Sequence, residues 1–136
     1  MSDILKDKIK EIEGYLSELE EIIPQNLERY LQNFEKRAAC EHYFEKITEA
    51  IIDLVFIFIN ERRIEMPEDD ESALEILVKE KVISLDLGRK LQEARRMRNI
   101  IAHKYGNVNH ELIFNAISEE LIKDVREFLK NIRKNL

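Results

Sequence analysis

Arg98, Asn99, Ala102, His103 and Tyr105 are the residues of this 136-residue chain whose types and spacing could do chemistry together. On a helix that turns about 100° per residue they occupy one sector of roughly 160°, with Met97, Ile100 and Ile101 on the opposite, packing side. A guanidinium holds an anion through a planar fork of donors and stays charged at any working pH. Imidazole gives or takes a proton near neutrality. The small Ala102 leaves space between them, as the floor of a pocket would. The same spacing also fits the end of a surface helix, where His103 and Lys104 offset the negative end of the helix dipole before Gly106. Spacing by itself leaves both readings open.

The elements that must position these residues are helical. Leu5, Ile9, Ile12, Leu16, Leu19 and Ile23 recur three and four apart, predicting a first helix from about Asp3 to Ile23 that Pro24 breaks. Its heptad-like seam is regular enough to pack on another subunit. A second helical stretch starts near Gln25 and runs, straight or kinked, to about Ile64; its later part is the most apolar of the chain and so the expected centre of a bundle. The acidic loop from Met66 to Glu71 contains Pro67, and Ser72-Ala73-Leu74-Glu75 fits a capping box for a short helix to about Lys81. Ser84 is placed to cap the helix that carries Arg98 to Tyr105, Gly106 to stop it, and Asn109 to cap a last helix whose apolar face runs from Ile113 to Ile132. The expectation is all-α: one domain over residues 1–136, an antiparallel up-and-down bundle of four main helices plus one short helix.

Composition narrows the function classes. The apolar run from Ile51 to Ile59 is interrupted by Asp53 and too short to span a bilayer, and the N-terminus shows no leader, so no membrane association and a cytoplasmic location are expected. A single cysteine, Cys40, has no partner for a disulfide or a Cys-x-x-Cys site and reads as core. His42, His103 and His110 do not complete a metal-ligand set, and Glu68 to Glu71 lacks the glycine and alternating oxygens of a calcium loop, so no metal is expected. No glycine-rich phosphate loop is present and no cofactor is indicated. The net charge is −6, yet the window from Gly88 to Tyr105 holds Arg89, Lys90, Arg95, Arg96, Arg98 and Lys104 against Glu93 alone. That window is either the footprint of a polyanion site, with Arg89, Arg95, Arg96 and Lys104 as its basic patch, or a solvated face paired with acidic neighbours.

The motif Arg98-x4-His103-x-Tyr105, with Asn99 after the arginine, resembles the signature of the HepT-like branch of HEPN domains. The similarity extends from about Arg37 to Leu129: a long helix containing Glu49-Ala50 and ending Asn60-Glu61-Arg62, a Pro-containing loop, a short helix over Ala73 to Leu77, the motif helix and a final amphipathic helix. The resemblance implies a metal-independent endoribonuclease toxin, with Arg98 and His103 catalytic and RNA as substrate. It implies a homodimer that brings two motifs to one cleft, so that two imidazoles can serve as acid and base. It also implies a minimal nucleotidyltransferase antitoxin that silences the toxin by adding AMP to Tyr105. Glu49 and Asp53, four apart on the central helix, occupy places where the family often carries polar residues facing the motif, and with Asn99 they are the expected supporting groups. Phe56 and Ile57 depart from the polar residues that often follow. The competing expectation, from a different class, is a non-catalytic helical module that binds the nucleotidyltransferase or RNA.

Overall fold

Side chains that accept from the backbone set the starts of the helices. In a computed structural model of the chain, which describes residues 2–103 and 108–136, Ser2 accepts from the Leu5 amide at 3.1 Å and opens α1 (Asp3–Ile22). Asn26 does the same for α2 (Leu27–Gln32), and Asn33, accepting from Lys36 at 3.0 Å, for α3 (Phe34–Glu61). Asn33 closes α2 and opens α3 in one extended residue, so the second helical stretch is two helices. Its side chain satisfies a first-turn donor there, which offsets the break.

The start of α4 (Asp70–Lys79) corrects the capping box: Asp69, not Ser72, is the cap, and its carboxylate accepts from the Ser72 amide at 2.8 Å. That bond holds the Asp69 carboxyl below the usual range. A carboxylate is the stronger acceptor at the positive end of a helix. Ser84 and Asn109 cap α5 (Leu85–His103) and α6 (His110–Asn115) as their positions predict. Lys104, Tyr105 and Gly106 lie outside the described residues, and the expectations placed on them with them.

Two helices end without glycine. After α3 and α4 the chain turns through left-handed residues, Arg63 at φ 57° and Lys81 at φ 61°. Each is followed by a backbone amide that reaches back five residues, Ile64 to Ile59 and Val82 to Leu77. These are paired C-terminal closures of the kind glycine usually makes.

α3 is the centre, as its apolarity predicts. Lys8 pairs with Asp53 at 3.6 Å and the Tyr43 hydroxyl donates to Glu18 at 2.5 Å, so α1 runs antiparallel to α3. Arg133 donates to Glu13 at 2.9 Å and Arg126 to Glu20, which sets the last helix antiparallel to α1. The α1 seam, Leu5 to Leu19, is buried within the chain's own core; it is spent on intramolecular packing rather than left for another subunit. Cys40 is buried too, and burial pushes its thiol up to about 11, too high for a thiolate nucleophile at neutral pH.

The last helix contains a wide turn. Between α6 and α7 (Ile122–Lys134) residues Ala116–Leu121 are π-helical, and the backbone continues in the right-handed helical region on both sides. Ile113, Ile117, Leu121 and Val125, four apart, are all buried. A strict α-helix would rotate such a row by about 40° at each step, and the underwound turn keeps it on the core. Among the described residues no strand occurs.

Gly88 sets how closely α5 lies on α4. A Cβ built there would stand 2.5 Å from Cγ2 of Val78, a β-branched side chain with little rotamer freedom in a helix. Gly88→Ala gains about 1 kcal/mol of helix propensity but meets an overpacking cost of about 1–3 kcal/mol. The expected net is a destabilisation of about 1 kcal/mol, read as a lower denaturation midpoint in urea at unchanged m; a more stable variant would show that α4 yields freely.

Candidate functional site

The chemistry-bearing residues stand on the last turns of α5, which runs back along α3: Arg98 reaches Glu49, and Ile101 and Ala102 share a groove with Glu41, His42 and Glu45. Ile101 is buried and Met97 packs on the core, as their side of the helix requires. Ile100 does not follow: it is 55% exposed, whereas the Arg98 side chain is only 18% exposed. The packed face is rotated toward Arg98, because the guanidinium stem lies in the crevice between α3 and the start of α4.

There Arg98 meets two carboxylates. Nη1 is 3.7 Å from Glu49 and Nη2 is 3.6 Å from Asp70, while Nε is buried without a hydrogen-bond partner. Both separations exceed a good hydrogen bond, so attraction holds the group without saturating its donors. The two acids are partly solvated, so each pair contributes on the order of 0–1 kcal/mol. The result is a positioned cation with donors to spare.

Glu49 stands beside the motif arginine as expected, but Asp53 does not join it. One helical turn further along α3, the Asp53 carboxylate faces α1 and pairs with Lys8. Asp70, which sequence reasoning assigned only to an acidic loop, takes the place expected of Asp53. Asn99 is half-buried and His103 is exposed on the last turn of α5.

The basic window does not form one stripe. Seven residues apart, Arg89 and Arg96 share a face and line a groove of about 580 Å³ between α4 and α5, with Glu71, Glu75 and Glu93 beside them. Arg95 donates from Nε to Gln92 at 3.1 Å, and Lys90 points to the last helix, 3.8 Å from the buried Asp124. Lys104 is outside the described residues. The α5 helix thus distributes its cations in several directions, because it is packed on several sides.

A second constellation lies at the same end of the bundle. An open groove of about 880 Å³ is lined by Phe34, Glu41, His42 and Glu45 of the α3 side, by Ile101 and Ala102 of α5, and by Val108 and His110. Ala102 lines this groove, whereas Arg98 is not among its lining residues. On one wall Glu41 Oε2 accepts from the Tyr30 hydroxyl and from His110 Nδ1, both at 2.7 Å. Tyr30 is fully buried, and burial together with Glu41 pushes its phenol well above the usual range, so it remains a donor. Sequence reasoning weighed His110 only as a metal ligand; Glu41 lies 69 residues away in the chain, and only the fold brings them together.

Among the described residues no group of three or more His, Cys, Asp or Glu side chains is placed to hold a metal ion, and no helix is long and apolar enough to cross a membrane.

A solved structure of a tri-AMPylated Shewanella oneidensis HEPN toxin in complex with an MNT antitoxin matches with a TM-score of 0.91 at 19% identity, over 98% of this chain and 99% of that one. The profile of the family described as "Ribonuclease HepT-like" matches residues 12–132, and the chain belongs to that family. Among characterised relatives, the tRNA nuclease HepT of Aphanizomenon flos-aquae is 24% identical over 85% of this chain and 78% of its own length. The mRNA nuclease HepT of Shewanella oneidensis is 20% identical over 98% of both.

Proposed function

We propose that the protein is a metal-independent endoribonuclease toxin, neutralised by a minimal nucleotidyltransferase antitoxin, with Arg98 and His103 acting on RNA. The observation that carries this reading is the Arg98 guanidinium, held by Glu49 and Asp70 at separations too long to saturate its Nη donors, on the helix that ends in His103. Arg98 would bind the scissile phosphate and the charge added as the 2′-oxygen attacks. His103 would transfer a proton at the 2′-hydroxyl or at the departing 5′-oxygen. Asn99 and Glu49 would support them, and Arg89, Arg95, Arg96 and Lys104 would add to the positive potential that attracts the polyanion to this helix. The characterised relatives named above, nucleases of tRNA and of mRNA, support an RNA substrate. The neighbouring fold's complex with an MNT antitoxin supports the partner.

A two-fold homodimer would place two motifs around one cleft. With the α1 seam consumed in the core, the surface that supports pairing is the motif end itself, where Ile100 and Phe34, 55% and 70% exposed, flank the site. The alternative, a non-catalytic module that binds the nucleotidyltransferase or RNA, draws on the engagement of Arg98 by two acids.

RNA cleavage by the purified protein decides between them. The expected result is cutting that persists in EDTA and leaves a 2′,3′-cyclic phosphate, by a species of about twice 16.2 kDa in sedimentation. A requirement for Mg²⁺, or intact RNA at micromolar protein, would favour the alternative.

A further inference from the structure

A single imidazole cannot easily serve as base and acid in one turnover, and two-fold pairing is one way to supply another. The groove beside the end of α5 offers imidazoles within the protomer, His42 and His110. His110 lines it together with Ala102, the residue before His103. Its Nδ1 lies 2.7 Å from Glu41 Oε2, which also accepts from buried Tyr30. An ionised carboxylate has no proton to give, so Nδ1 carries the hydrogen and Nε2 carries the lone pair. This is the arrangement by which a carboxylate fixes a tautomer and stabilises the imidazolium that forms when the free nitrogen takes a proton.

We propose that His110, oriented by Glu41, is the general base of each protomer and His103 the acid. The proposal rests on the ribonuclease reading. The 2′-hydroxyl gives its proton to His110 Nε2 as its oxygen bonds to phosphorus. The bond from phosphorus to the 5′-oxygen breaks, and that oxygen takes the proton of the His103 imidazolium. The products are a 2′,3′-cyclic phosphate and a free 5′-hydroxyl. Glu41 is a positioning residue. The other titratable groups facing this wall are Tyr30 from α2 and Arg37, His42 and Glu45 from α3, while α5 contributes Ile101 and Ala102.

The test is the pH profile of single-turnover RNA cleavage. A base must be unprotonated, so the rate should rise with pH through the His110 titration. His110→Gln should lose about 10² to 10⁴ in rate together with that rise. Glu41→Gln, which removes the charge stabilising the imidazolium, should lower kcat and move the rise to lower pH at unchanged KM. NMR titration of wild-type His110 should give the same pKa as the rise and needs no variant to fold. Cleavage by His110→Gln at the wild-type rate and profile, with His103→Ala inactive, would overturn this proposal and leave the ribonuclease reading intact; so would a His110 pKa remote from the rise. Wild-type protein that cuts no RNA would overturn both.

Discussion

His103→Ala is expected to lower RNA cleavage by about 10² to 10⁴, the span that a proton-transferring side chain contributes. The substitution removes an imidazole that is exposed at the end of α5, so the fold should persist. Arg98→Lys should fail as well, for two reasons. A lysine offers a point charge in place of the planar fork that matches phosphate. Its ammonium also cannot span Glu49 and Asp70, which face different nitrogens of the guanidinium. Single-turnover cleavage of one labelled RNA by the wild type and both variants, with growth on induced expression as the cellular readout, checks the pair. Cleavage that survives both changes would reduce the motif to scaffold.

The second large effect is expected at Tyr105, through modification. A phenol of reference pKa about 10 is a poor base at neutral pH. It is nevertheless a capable acceptor of an adenylyl group: the phenol gives its proton to solvent or a base as its oxygen bonds to the α-phosphorus of ATP, the bond from that phosphorus to the bridging oxygen breaks, and pyrophosphate leaves. Seven residues beyond Arg98 on a helical register, it would lie two turns along the same face. Each added AMP would bring negative charge and bulk to the guanidinium proposed to recruit RNA. The structurally similar Shewanella oneidensis toxin is described as tri-AMPylated, which supports a modification of this kind. Incubation with the partner nucleotidyltransferase and ATP should add one or more AMP units by intact mass and suppress cleavage. Tyr105→Phe should abolish the labelling at this position and keep the nuclease active; unchanged labelling would refute the assignment.

How far the sequence carries can be read from particular residues. Ser84 and Asn109 were legible as caps because a cap depends on the residue and on the amides just after it. The break at Asn33 was not, since nothing near it is glycine or proline. The ends of α3 and α4 were placed two or three residues late because Arg63 and Lys81 adopt the left-handed conformation that a reader looks for at glycine. In the site, Glu49 was legible and the fate of Asp53 was not, because which face of α3 receives α1 is decided by packing between distant segments. Asp70 and the Glu41–His110 contact were invisible for the same reason. Ile100 was assigned inward by angle alone, and the partly buried Arg98 stem takes that direction instead.

The two carboxylates around Arg98 bear on which anions the cleft admits. A bare arginine at a groove would collect free nucleotides and inorganic phosphate, which a cell holds in abundance. One already attracted to Glu49 and Asp70 gives up part of that attraction, about 0–1 kcal/mol per pair, on binding any anion. On the ribonuclease reading, a polynucleotide would offset that loss more readily than a monomer, because its flanking phosphates would add contacts elsewhere on the surface. Intramolecular competition at Arg98 would then bias the cleft modestly toward polymers without any narrow pocket.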